Sequence, residues 1–180
     1  SRCIRVSDSY FLSLETAKAD ASVTKSKRVV CAIMTADCLP ILLTNQSATC
    51  VAAVHAGWRG LAQGVLQNSI AAMQCPVETI TLWVGPHISQ THFEVGEEVK
   101  QAFNRYPEAF IQIQSSSSGE SKYLCSLIKI VKAICASLGI TQVYNQDICT
   151  YQNNQLFYSH RHAQHNGFAQ TGRFISAIYL

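Results

Sequence analysis

Two stretches decide the reading: Thr35-Ala36-Asp37-Cys38-Leu39-Pro40 and Val54-His55-Ala56-Gly57-Trp58-Arg59-Gly60. Ahead of the first, residues 28–35 form a continuous apolar run with β-branched members, and residues 40–44 read as its continuation beyond a break at Cys38-Leu39-Pro40. Such a run fits a strand buried on both faces. Asn45-Gln46-Ser47 is a turn. Residues 49–55 then form a second buried strand that ends at His55. A cysteine and a histidine thus each close a buried strand at a turn of small residues. If the two strands are neighbours, both side chains emerge at one edge.

Working outward, Leu61, Val65, Leu66, Ile70 and Met73 recur at helical spacing. The spacing predicts a helix that opens at Gly57-Trp58-Arg59-Gly60 and runs to Gln74, where Pro76 bars continuation. A strand at Thr79–Val84 stops at Gly85-Pro86, and a helix over Val95–Tyr106 ends at Pro107. Ser126 caps a helix with apolar face Leu127, Ile130, Val131, Ile134 and Leu138, which Gly139 terminates. Residues 140–144, 155–159 and 173–180 read as strands, the last two joined by a polar loop rich in His and Gln. Upstream, Ile4 and Val6 suggest a short edge strand, residues 18–24 a loop, and Ser115–Gly119 a flexible surface loop. Elements alternate early and strands cluster late, so the class is α/β or α+β with a mixed sheet.

The bulk numbers fit one domain over residues 1–180. With 48% hydrophobic and 14% charged residues, the chain is globular rather than disordered. The net charge of +3 is mild and no Lys/Arg stripe forms, which argues against nucleic acid as a partner. No apolar run reaches the ~18 residues of a membrane span, and no secretory leader is read. Several of the eight cysteines lie in apolar runs, among them Cys31, Cys50 and Cys135, and no C-x-x-C occurs. The expectation is a cytoplasmic protein with buried free thiols.

The candidate chemistry starts at Cys38 and His55. Together they suit zinc, which favours tetrahedral N/S ligation, or a Cys–His nucleophile pair. They equally suit a core thiol and a satisfied histidine, although a purely structural strand has no need of the break beside Cys38. Arg59, between two glycines at a helix start, suits a phosphate or carboxylate. It also suits a surface salt bridge or a stack on Trp58. His87 and His92, and the cluster His160, His162 and His165, read as solvated loop histidines. Arg161 and Arg173 bracket the last loop, within reach of an anionic ligand or simply solvated. P-loop, G-x-G-x-x-G, H-E-x-x-H, G-x-S-x-G and zinc-deaminase signatures are absent from the sequence.

These pieces, with Ala19-Asp20-Ala21, Gly85-Pro86-His87-Ile88, Phe93-Glu94-Val95-Gly96, Asp147-Ile148-Cys149-Thr150, Phe157-Tyr158-Ser159-His160-Arg161 and Thr171-Gly172-Arg173, follow one another in a familiar order. The chain resembles the bacterial laccase-domain proteins, also described as the polyphenol-oxidase or peptidoglycan-editing-factor family and as multifunctional purine nucleoside enzymes. The resemblance implies an α+β fold, a mixed-sheet sandwich flanked by helices in αββα layers like a cysteine hydrolase. It implies a zinc held by two histidines and a cysteine, here His55 and Cys38. The other histidine is expected upstream of Ser1, because Ser1-Arg2-Cys3-Ile4-Arg5-Val6 looks like the tail of the motif that carries it. On this reading the chain lacks its N-terminal segment.

The implied activities are phosphorolysis of adenosine, inosine or methylthioadenosine and deamination of adenosine, with purine nucleosides and phosphate as partners. Asp37 is then a proton acceptor or orients a ligand, Arg59 binds phosphate, and Arg161 is a second cation. Three alternatives stand beside this: a cysteine hydrolase using Cys38 and His55 on a cell-wall precursor, a copper-dependent polyphenol oxidase, and a fragment without turnover.

Overall fold

The computed structural model describes residues 2–6, 18–113 and 121–180. The architecture divides at Ala36-Asp37-Cys38. Before this turn, β3 (Cys31–Thr35) pairs antiparallel with β11 (Phe174–Ile178) in a two-stranded ribbon. After it, β4 (Leu39–Asn45) lies inside a six-stranded sheet. Residues 40–44 are therefore not a continuation of the first strand, because the chain changes layer between them. Asp37 makes the change at φ 88°, a left-handed conformation that a residue with a Cβ adopts only at a cost of about 1–3 kcal/mol.

The six-stranded sheet runs β1 (Cys3–Arg5), β2 (Ala21–Thr24), β5 (Val51–Ala56), β4, β6 (Ile80–Val84) and β10 (Gln142–Asn145). The inner pairings are antiparallel, while β1 with β2 and β6 with β10 are parallel, so the sheet is mixed. Its central strands are apolar on both faces because both faces are covered. Ile41, Leu43, Ala52 and Val54 join the main core, which also takes Leu66, Ile70 and Met73 of helix α2 (Val65–Met73) and Ile130, Val131 and Ile134 of helix α4 (Leu127–Leu138). On the opposite face Leu42 and Ala53 meet Cys31 and Ile33 of the ribbon. Each fully buried Leu or Ile of this core stabilises the fold by about 1.5–3 kcal/mol. The result is the expected α+β fold with a mixed sheet flanked by helices.

Several expected elements change. The ribbon strand is buried on one face only: Cys31 and Ile33 point inward, while Met34 is 64% and Ile175 66% exposed on the other side. Residues 21–24, expected in a loop, form β2, because Ala21 and Val23 are buried and the strand pairs with β5. The helix expected from Gly57 to Gln74 breaks into α1 (Trp58–Ala62) and α2. The break is at Gly64, whose φ of 78° is open to glycine but interrupts a helix.

The helix over 95–106 shortens to α3 (Glu97–Ala102). A small sheet of β7 (Glu94–Val95), β9 (Lys122–Cys125) and β8 (Phe110–Ile113) has no counterpart in the sequence reading. Residues 155–159 form turns rather than a strand, because the Asn153 carbonyl accepts the N–H groups of Leu156 and Phe157 and so closes the backbone locally. The polar loop after them contains helix α5 (His160–His165), whose N-cap Ser159 accepts from the His162 N–H. Helix α4 carries both expected caps, with Ser126 accepting from the Lys129 N–H and Gly139 at φ 84°. The Ser115–Gly119 loop lies outside the described residues.

Candidate functional site

Strand register brings Cys38 and His55 together. β4 and β5 are antiparallel neighbours with Pro40 opposite His55 and Leu39 opposite Ala56. One step further along, Cys38 faces Gly57. A Cβ placed on Gly57 would stand 3.0 Å from Cys38 Sγ and 3.6 Å from His55 Nε2. The thiol and the imidazole thus converge on a space that exists because residue 57 has no side chain. The Gly57 φ of −75° is open to any residue, so the glycine serves this space and not the backbone.

His55 is oriented from behind. Its N–H donates to the Asp20 carbonyl at 2.7 Å, and its Nδ1 lies 3.6 Å from the Asp20 carboxylate. A carboxylate on that side favours the proton on Nδ1 and leaves the Nε2 lone pair facing Cys38. Burial, with the negative Asp37 beside it, pushes the Cys38 thiol up to about 11, while Arg173 opposes the shift. At neutral pH such a group rests as a thiol, whereas an activated nucleophile needs the opposite shift.

Asp37 is a buried tie. One carboxylate oxygen accepts from Thr150 Oγ1 at 2.7 Å, and the other from the Arg161 backbone N–H at 2.6 Å. Its carbonyl accepts from the Ile88 N–H. Three distant segments are thereby fastened to the turn that carries Cys38, which is where the left-handed backbone finds its compensation.

Two cavities meet at Cys38, Trp58 and Arg59. One, of about 290 Å³, extends under Asp37, Phe93, His160 and Arg161. The other, of about 240 Å³, opens toward Asp20, His55 and Gly57. The Arg59 guanidinium stacks 4.3 Å over the Trp58 ring, which holds it between them. Helix α1 has only five residues, so its dipole adds little and the guanidinium itself is the anion-attracting group. Arg161 is aimed by its donors, which reach the carbonyls of Glu94 at 2.9 Å and His92 at 3.4 Å.

Some of the other histidines differ from expectation, while His160 and His165 are exposed as expected. His87 is buried, with Nδ1 2.8 Å from the Gly85 carbonyl, and burial lowers its pKa. It is a buried residue, not a solvated loop histidine. His92 is half-buried and stacks on Tyr151, with Nδ1 3.8 Å from Cys149 Sγ. His162 and His165 meet the same Tyr151 ring edge-on. His160 is exposed and lines the larger cavity. Among the described residues no group of three or more His, Cys, Asp or Glu converges on one metal position.

The chemistry of the donor set still fits zinc at two positions. A thiol and an imidazole nitrogen face one open space, and a carboxylate stands behind the histidine as the outer partner that zinc-binding histidines commonly have.

Residues 1–180 match the family described as multi-copper polyphenol oxidoreductase laccase. The chain belongs to this family. Among its relatives, the Shigella flexneri protein named purine nucleoside phosphorylase YfiH is 42% identical over 167 residues, covering 91% of this chain and 64% of that protein. The Haemophilus influenzae protein named purine nucleoside phosphorylase is 41% identical over 164 residues, covering 91% and 65%. A solved structure from Neisseria meningitidis aligns at TM-score 0.79 with 41% identity, covering 90% of this chain and 64% of that one. YlmD from Geobacillus stearothermophilus, at TM-score 0.84 and 24% identity, shares the fold. The chain spans about two thirds of the length of these relatives.

Three residues around Cys38 and His55 went unassigned in the sequence. Asp20 stands in Ala19-Asp20-Ala21, but nothing in its spacing ties it to His55. Thr150 reaches Asp37 across 113 positions of the chain. Arg173 was one of two bracketing cations, and only the fold brings its charge to Cys38. No helix among the described residues is long and apolar enough to cross a membrane.

Proposed function

We propose that this chain carries the catalytic site of a purine nucleoside phosphorylase, with Cys38 and His55 as zinc ligands and Arg59 as the phosphate-binding cation. The observation that carries the reading is the convergence of Cys38 Sγ and His55 Nε2 on Gly57, beside Arg59 and between two cavities. The names of the relatives supply the reaction class. When bound, zinc supplies Lewis-acid activation of water or of a substrate atom, which also accounts for adenosine deamination at purine C6.

The chain's own residues do the rest. Arg59 holds phosphate against the ribose face, with Trp58 keeping the guanidinium in place. A phosphate oxygen then bonds to C1′ of the nucleoside as the bond to the purine nitrogen breaks, and the base leaves carrying the proton that the hydrogen phosphate gives up. Arg161 stabilises the negative charge that gathers between the two cations. Asp37 acts by positioning: it holds the Cys38 turn, and both its oxygens are already engaged.

The test is to incubate the protein with inosine or adenosine and phosphate, with and without zinc, and to follow free base and ribose 1-phosphate. Arg59→Ala is expected to raise the phosphate KM at least tenfold, while zinc content measured by mass spectrometry stays unchanged. An unchanged phosphate dependence overturns the assignment of Arg59. Absence of base release under every condition sinks the phosphorylase reading.

A second reading, copper-dependent phenol oxidation, is favoured by the family's description. Cys38 and His55 supply two of the three strong ligands of a blue copper site. Copper-loaded protein without visible absorbance or phenol turnover eliminates it.

A further inference from the structure

We propose that Cys50 and Cys75 form a peroxide-responsive dithiol whose disulfide closes a covalent loop around the segment carrying His55, Gly57 and Arg59. Cys50 is fully buried at the entry to β5, and Cys75 is partly exposed just after α2. Their sulfurs approach one acceptor, the Met73 carbonyl, at 3.7 Å and 3.4 Å.

The backbone at both ends is held. The Asn45 carboxamide oxygen accepts the N–H groups of Thr49 and Cys50 at 2.9 Å and 3.0 Å. Pro76 restricts Cys75 to extended conformations. Between the two cysteines the chain runs up β5 to His55, turns at Gly57, and returns through α1 and α2. Their bond ties the base of that excursion without touching its tip.

The difference in exposure sets the order of events. Cys75 reaches solvent, so its thiolate attacks a hydroperoxide: a sulfur–oxygen bond forms, the peroxide bond breaks, and hydroxide leaves as water after taking a proton. Cys50 then attacks the sulfenic sulfur of Cys75. The disulfide forms, and the displaced hydroxide leaves as a second water with the Cys50 proton. Overall, two thiols and one hydrogen peroxide become one disulfide and two waters. Cys50, fully buried, is shielded from the peroxide itself and meets only the sulfenic sulfur of Cys75, so it acts in the second step.

The experiment treats the folded protein with stoichiometric hydrogen peroxide, alkylates it under denaturing conditions, and maps its peptides. The expected result is that alkylatable thiols fall from the eight of the sequence to six, with one cross-linked peptide pair joining Cys50 to Cys75. A thiol reductant reverses the change, and the bridged protein unfolds at a higher temperature than the reduced one. Cys75→Ser abolishes the cross-link and leaves Cys50 alkylatable, whereas Cys38→Ser leaves the cross-link intact. Circular dichroism checks that Cys75→Ser folds, and Cys75→Ala replaces it if it does not. Eight free thiols after peroxide overturn the proposal. So does Cys75 driven to sulfinic acid without a bridge, or a cross-link that joins Cys50 or Cys75 to another cysteine.

Discussion

At the residue scale the site depends on the empty space at Gly57. A Cβ there meets Cys38 Sγ at 3.0 Å, tighter than van der Waals contact allows, yet the backbone accepts alanine. With zinc held as proposed, Gly57→Ala is expected to weaken its binding about tenfold or more, the scale seen when groups around a metal ligand are disturbed. The thermal midpoint should change little, and competition with a zinc chelator reads the difference. If affinity is unchanged, the space is not the metal's. Thr150→Val tests the tie on Asp37. It leaves a buried carboxylate oxygen short of a donor and is expected to cost about 1–3 kcal/mol in urea unfolding. The meeting of Cys38 and His55 was legible in the sequence, because each ends an apolar run and the two strands are neighbours. Thr150 and Asp20 were not legible, since a hydrogen bond across distant positions leaves no local pattern.

At the element scale, local signals succeeded where one face of an element meets one core. Helix α4 shows this, with Ser126 and Gly139 as caps and a single apolar stripe between them. Its energetics separate cleanly. Ser126→Ala removes one cap bond and is expected to cost about 1 kcal/mol. Ile130→Ala opens a cavity in the main core and is expected to cost about 2–5 kcal/mol. Comparable losses for the two in denaturant titrations would mean that the cap does more than hold the helix end. Local signals failed where tertiary contacts decide. The apolar run through Cys38 looks like one interrupted strand, and only the packing of the ribbon on the sheet shows that Asp37 passes the chain between layers. Leu156-Phe157-Tyr158 has strand composition, but the Asn153 carbonyl captures its backbone first.

At the scale of the whole molecule, buried titratable groups set the pH range of stability. His87 is buried and its pKa lies below the ordinary 6.5, because desolvation disfavours the charged ring. As pH falls through 6.5 the unfolded chain takes up a proton that the folded chain refuses, so stability decreases until the lower folded pKa is reached. The thiols act at the other end. Burial raises Cys38 and Cys135 from 9.0 to about 11 and Cys125 to about 12. Above pH 9 the unfolded chain ionises these thiols first, and stability is again lost. The expected profile is a plateau between about pH 6.5 and 9 with a decline on each side, measured as the urea midpoint at constant ionic strength. His87→Gln should flatten the acid limb and leave the alkaline limb unchanged. Cys125→Ala should make the alkaline limb shallower without abolishing it, since Cys38 and Cys135 still contribute, and should leave the acid limb unchanged, after allowance for the cavity it leaves. An acid limb that survives in His87→Gln would assign acid sensitivity to other groups, and the buried histidine would then serve packing alone.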